Sequence, residues 1–292
     1  MAETNYVEVG ALNIVASPHP EGIYLELVKA ISGKELPYVG SDWIKLTAPE
    51  EFEAPRGFYH GQILIWTEID TNKKWLNKEK DAEATDEEMR KVEEALLPNF
   101  EPNFRPFTYI LDPAEHIVLI ETKNEFGQNF SARRAGRAFA NLIETLSAEW
   151  PEVSVTVIPE DETLEKIFAI PHLRKLEIVV ERPNADDLGD DFNRIMTEMQ
   201  AEGAKSWRIE KIRAAKQKTL KPSDETKRIA AVAATNGHVS GEGTDESGSP
   251  VFESTEEHPK IRRIKLITST FSAIFSALHL FRKPVEKPGS SS

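Results

Sequence analysis

Apolar residues recur along the chain with two different periods, and the alternation between those periods sets out the elements. The run from Tyr6 to Ala16 predicts a strand, and Pro18 and Pro20 then break the chain before a short helix through Ile23, Leu25, Leu27, Val28 and Ile31. The stretch from there to about Gly57 reads as a loop, and Tyr59 to Ile69 as a strand. Thr85 followed by Glu88 has capping-box spacing and opens a helix through Met89, Val92 and Leu96 that Pro98 and Pro102 end. Phe107 to Leu111 and Ile117 to Ile120 flank the turn signal Asp112-Pro113-Ala114-Glu115, so they form a hairpin whose second strand, apolar on both faces, is buried. Ser131 caps a helix with Phe139, Leu142, Ile143 and Leu146 in one stripe, and Val153, Val155 and Val157 then alternate with Ser154 and Thr156 as a strand.

A new rhythm follows. A short helix carries Leu164, Ile167 and Phe168 up to Pro171, and Leu176, Ile178 and Val180 mark a strand. Phe192, Ile195, Met196 and Met199 mark a helix, Trp207 to Ile212 a strand, and Ser223 caps a helix with Ile229 and Val232 that ends at Asn236-Gly237. The Gly- and Ser-rich run His238 to Pro250 reads as a loop or a poorly packed hairpin, and Ile261 to Ile267 as a returning strand. The pattern predicts an α+β fold: an expanded ferredoxin-like βαββαβ half over 1–158, a second mixed α/β half over 159–283 and a tail over 284–292.

The last helical pattern, Leu266 to Phe281, is flanked by Arg262, Arg263, Lys265, Arg282 and Lys283. It is short of the ~20 apolar residues a membrane crossing needs and contains Thr268, Ser269, Ser272 and His279. Its apolar face therefore covers a core or a partner, and Phe271, Ile274, Phe275 and Leu278 are the residues that an oligomer would use. Met1 to Gly10 holds Glu3 and Glu8 and has no basic or apolar leader region, so a cytoplasmic location is the expectation.

Composition narrows the chemistry. Across 292 residues the formal charge is −13, hydrophobic residues make up 39% and charged residues 29%, an ordinary globular balance. The absence of cysteine excludes disulfides, thiolate metal sites and a cysteine nucleophile. The seven histidines stand singly, with no HxH or HExxH spacing, and neither a GxSxG elbow nor a P-loop is present, so no metal and no cofactor are expected.

Asp112 with Glu121-Thr122-Lys123 superficially matches the PD-(D/E)xK nuclease pattern, in which two carboxylates hold a divalent metal and a lysine polarises water. The hairpin argues against it, because Asp112 closes its strand while Glu121 lies down the returning one, roughly 20 Å away at about 3.3 Å per residue. Asp112, Glu121 and Lys123 remain the catalytic alternative, with Glu68 or Asp70 able to supply the second carboxylate.

Basic charge is concentrated in two places. Arg133, Arg134 and Arg137 cluster at a helix start, where they oppose the helix dipole, and Lys205, Trp207, Arg208, Lys211, Arg213, Lys216 and Lys218 form a second segment, continued by Lys221, Lys227 and Arg228. They suit a phosphate backbone assisted by Trp207, or an acidic protein partner. The competing reading is internal pairing with the acidic stretches Glu79 to Glu94 and Glu181 to Asp191.

The runs LEIVVERPNADDL at Leu176 to Leu188, ATNGHVSGEG at Ala234 to Gly243 and STEEHP at Ser254 to Pro259, with Glu121-Thr122-Lys123-Asn124, resemble a bacterial family known only as a domain of unknown function. The resemblance runs from the first strand to the last helix. It implies a bacterial protein of undefined biochemistry, carried near mobile elements or anti-phage genes, and carries over no catalytic residue. Within the first run, Pro183-Asn184 signals a turn, and Asp186 and Asp187 suit the start of the next helix. The sequence thus points to a non-enzymatic component that binds nucleic acid or protein, with a metal-dependent nuclease and an oligomer-forming structural subunit as alternatives.

Overall fold

The computed structural model describes residues 6–97, 100–182, 190–266 and 269–282. Asn184, Asp186 and Asp187 and the tail over 284–292 lie outside the described residues.

The chain opens with β1 (Tyr6–Ser17) and α1 (Ile23–Ile31), which buries Tyr24, Leu27, Val28 and Ile31. The stretch read as a loop instead holds β2 (Glu35–Val39), β3 (Asp42–Leu46) and β4 (Glu50–Glu51) before β5 (Tyr59–Thr67). Gly40, at φ +62°, turns β2 back into β3 and sets Leu36 opposite Ile44. A side chain would strain that left-handed turn, and the alternating residues around it are the strand signal.

A short ribbon, β6 (Leu76–Asn77) and β7 (Ala82–Glu83), leads to α2 (Asp86–Ala95). The expected capping box is present: the Thr85 hydroxyl accepts from the Glu88 amide at 3.3 Å, and the Glu88 carboxylate accepts from the Thr85 amide at 2.9 Å. The hairpin of β8 (Arg105–Asp112) and β9 (Ile117–Lys123) follows, then α3 (Ala132–Glu144), capped by Ser131, and β10 (Glu152–Val157).

These strands form one antiparallel sheet in the order β10-β1-β9-β8-β5-β3-β2, with β4 beside β5. Side chains on β9 alternate between its faces. Val118 and Ile120 enter a core shared with α1 and α3, which contribute Leu27, Ile31, Phe139 and Leu142. Ile117 and Leu119 enter a second core on the opposite face. Burial on both faces explains why β8 and β9 read as near-continuous apolar runs.

The second half contains α4 (Thr163–Phe168), β11 (His172–Glu181), α5 (Asp190–Glu202), β12 (Ser206–Ile212), α6 (Asp224–Thr235), β13 (Gly237–Thr244) and β14 (Pro250–Ser254). Its antiparallel sheet runs β12-β11-β13-β14 and packs Leu176, Ile178, Val180 and Val239 against Ile195, Met199, Ala230 and Ala233. The Gly-rich run read as a loop or a poorly packed hairpin is a hairpin, with β13 an interior strand of this sheet and β14 paired to it. A Cβ on Gly241 would lie 2.8 Å from Ile167 Cγ2, and one on Gly243 would lie 2.4 Å from the His172 carbonyl oxygen. Glycine serves close packing here, and the composition hides the strand.

The chain then returns to the first sheet. β15 (Arg262–Lys265) pairs with the first residues of β1, and α7 (Thr270–Ser276) with a 3-10 turn (Leu278–Leu280) covers the second face. The helix expected over Leu266 to Phe281 is thus shorter. Ile274 and Leu278 are buried, Phe275 packs on Phe52 and Phe58, and Phe271 lies 4.4 Å from the His60 ring. Ile274, Phe275 and Leu278, three of the four residues expected to serve an oligomer, pack on this chain's own core, while Phe271 stands at its margin. The molecule is a mixed fold of helices and antiparallel sheets, and among the described residues no helix is long and apolar enough to cross a membrane.

Candidate functional site

Hydrogen bonds between the two sheets position the first candidate site. Asn13, on β1, donates through Nδ2 to the Thr235 carbonyl at 2.9 Å and to Asn236 Oδ1 at 3.1 Å, and the Thr156 hydroxyl on β10 accepts from the Gly237 amide at 3.1 Å. This junction brings the exposed side of α3 against the ends of β11 and β13. The result is a groove of about 300 Å³ lined by Arg133, Arg137, β10, Glu181, Lys205, His238 and Glu256.

Parts of the two predicted basic clusters therefore meet in space. Arg133 lies 3.5 Å from Glu256, while Arg137 and Lys205 make no ion pair among the described residues. Glu181 is half-buried between the halves, and burial raises its pKa while Lys205 and His238 draw it back. On the other side of α3, Arg134 and Arg137 line a hollow of about 290 Å³ with Tyr38. Burial pushes the Tyr38 hydroxyl up to about 12 even though the Arg134 charge draws it back. Arg137 lines both hollows.

Most of the second basic segment is spent internally. Trp207 packs on the core of the second half and donates Nε1 to Glu202 at 3.0 Å. Arg208 lies 3.4 Å from Glu177, Lys211 donates to the Thr226 hydroxyl at 2.6 Å, and Arg213 donates to the Lys218 carbonyl at 2.7 Å. Arg228 pairs with Glu225 at 2.5 Å. The side chains of Lys216 and Lys218 are exposed in the loop after β12. The acidic partners come from β11, α5 and α6, whereas the acids of α2 pair locally, as in Lys91 with Glu87 at 3.0 Å.

The structure does not bring Asp112, Glu121 and Lys123 together. Asp112 sits opposite Ile117, four residues before Glu121, a separation of about 13 Å along the strand. It is 1% exposed, its Oδ1 accepts from the amides of Ala114 and Glu115, and its Oδ2 accepts from Arg282 Nε at 3.1 Å and Nη2 at 2.6 Å. It closes the turn and anchors the C-terminal segment. No cluster of three His, Asp or Glu side chains suited to a metal occurs among the described residues.

Glu121 belongs to a different arrangement. The register of β5, β8 and β9 sets Gln62, Thr108 and Glu121 in one row on the face that α7 partly covers. They form the floor of a cleft of about 340 Å³, walled by the turn Asn124–Phe126 and by Ser269, Thr270 and Phe271. Glu121 is 3% exposed, and its Oε2 accepts from the Thr108 amide at 2.8 Å. Burial raises its pKa from 4.5 to about 7, and Glu125 pushes the same way. Sequence reasoning picked out this residue for its neighbour Lys123, which does not line the cleft. The signal it missed is a carboxylate continuing the alternation of Ile117 and Leu119, which places it on a buried face.

No curated protein matches the chain. A family model does match, over residues 5–281, from the start of β1 to Phe281, the last side chain buried in the second core. The chain belongs to that family, described as a domain of unknown function, DUF4747.

Proposed function

We propose that the protein is a binding component that tracks the backbone of single-stranded nucleic acid across α3, with Arg133, Arg134, Arg137 and Lys205 as its phosphate contacts. The observation that carries this reading is the convergence of Arg137 and Lys205, each without an ion pair among the described residues, on one groove, with Arg137 also lining the hollow that contains Tyr38. Guanidinium forks suit phosphate oxygens, and a half-buried aromatic ring beside them suits a base. Glu256 is held only at 3.5 Å by Arg133, so a phosphate can replace it.

The scaffold is an expanded ferredoxin-like unit over 1–158, joined to a second unit over 159–283 that lends β15 and α7 back to it. The strand order β10-β1-β9-β8 with α1 and α3 packed on the same face supports this reading.

Fluorescence anisotropy with labelled RNA and DNA oligonucleotides over a salt series tests the function. Binding is expected to weaken with salt, and Arg137→Glu with Lys205→Glu to reduce the log–log slope by about 0.7 for each contact removed. Absent or salt-insensitive binding, or an unchanged double variant, refutes it. Tighter binding of poly-glutamate than of either nucleic acid would assign the groove to an acidic protein instead.

A further inference from the structure

We infer that the cleft at the start of α7 is a receptor for an organic cation bearing N–H donors, an amine or guanidine group on a short apolar stem, with the Glu121 carboxylate as its counter-ion.

Three observations carry this. Glu121 is almost wholly buried, yet Thr108 is its one hydrogen-bond partner among the described residues: Oε2 accepts from the Thr108 amide at 2.8 Å, the Thr108 hydroxyl acts on the same carboxylate, and no cation among those residues balances its charge. A buried carboxylate without a counter-charge is costly to ionise, and a cationic ligand that donates to it removes that cost. Among the described residues no lysine or arginine lines the cleft, whereas a second carboxylate, Glu125, does, so this lining opposes anions. The walls are aromatic, with Phe271 on one side and Phe126, 70% exposed, on the other, which suits a cation on an apolar stem.

The cleft is also preformed. Asn124 donates to the Pro106 carbonyl at 3.0 Å and to Gln128 Oε1 at 2.7 Å, and its Oδ1 accepts from the amides of Phe126 at 3.1 Å and Gln128 at 2.9 Å. These bonds fix the turn that carries Phe126. The volume of about 340 Å³ suits a small molecule or one long side chain. Two carboxylates without a third ligand do not make a metal site.

The test is calorimetry of the full chain with agmatine and butylamine, with short peptides containing arginine or lysine, and with butyrate as the anionic counterpart. The amines or the peptides are expected to bind and butyrate not to bind. Preference for the free amines identifies a metabolite-like ligand, and preference for the peptides identifies a protein side chain. Glu121→Gln is expected to lose at least about tenfold, the value of one charge-assisted contact, and Phe126→Ala, an exposed change, severalfold. The charged groups facing Glu121 are Glu125 in the turn and, one row along β5, His60; β8 and α7 present none to the cleft. Ionisation of Glu121 makes amine affinity rise about tenfold from pH 6 to pH 8, in His60→Gln as in the wild type. Equal binding of butyrate, an unaffected Glu121→Gln or a flat pH profile in the wild-type chain overturns the inference. Arg137→Glu leaves amine binding unchanged, so the two sites fail independently.

Discussion

Replacing Glu121 by glutamine isolates the consequence of burying a carboxyl on an otherwise apolar sheet face. Burial holds this group to a pKa of about 7, against 4.5 ordinarily. The folded protein therefore keeps a proton up to about pH 7 that the unfolded chain releases near 4.5. Between those values the folded state binds more protons, so this group's contribution to stability falls as pH rises and is flat above about 7. At about 1.4 kcal/mol per pH unit the full loss is ~3 kcal/mol, and water in the open cleft reduces it to ~2 kcal/mol. Glutamine keeps the acceptor for the Thr108 amide and cannot ionise. Urea unfolding of both chains at pH 4.5, 6 and 8 should give equal stabilities at the lowest pH and the variant ahead by ~2 kcal/mol at the highest. Contributions from other titrating groups cancel in the difference. A difference independent of pH, or a wild-type chain that gains on the variant as pH rises, refutes the reasoning and means that the ionised carboxylate has a strong partner.

Three further changes probe how the scaffold holds the two sites. Asp112→Ala removes the buried carboxylate that bonds Arg282 and the turn amides, and urea denaturation should show a loss of about 2 kcal/mol, below a fully enclosed pair because Arg282 is partly exposed. Asn13→Ala leaves the Thr235 carbonyl and Asn236 without their partner across the junction of the sheets, a loss of about 1–2 kcal/mol; a near-zero change would show that the junction is wet. Truncation after Lys265 uncovers Val7, Val9, Ile110 and Leu119, and light scattering with circular dichroism should find the chain aggregated or unfolded. A folded monomer would mean that α7 is not part of the core.

Local signals and long-range placement were unequally legible. The Thr85 capping box, the Ser131 cap and the Asp112-Pro113 turn are contained within a few residues, and the structure shows each as the pattern implied. The strands β2 and β3 were hidden by shortness, as were the two-residue strands β4, β6 and β7, and β13, read as a loop or a poorly packed hairpin, was obscured by glycines whose purpose is contact with α4 and β11. Trp207, Ile209 and Lys211 share one face of β12 by alternation, and that period alone places Trp207 inward, against the reading as a stacking platform. The meeting of Arg137 with Lys205, and the cover that α7 lays beside Glu121, join segments far apart in the chain. No local period encodes such encounters, because register and layer packing create them.

That placement also decides what the formal charge of −13 means for binding. α3 packs on one face of the first sheet and α7 on the other, so the arginine-lined track and the cleft containing Glu121 open on opposite sides of one layer. Packed layers are separated by about 10 Å, and the screening length at physiological ionic strength is about 8 Å. A ligand in either place therefore meets mainly the charges of its own wall. Among the described residues the track presents guanidinium groups and Lys205 against two carboxylates, while the cleft presents two carboxylates and no lysine or arginine. A net formal charge of −13 is therefore compatible with both proposed sites, an anion on one side and a cation on the other, because the local lining, set by which side chains β9 and α3 turn outward, governs each.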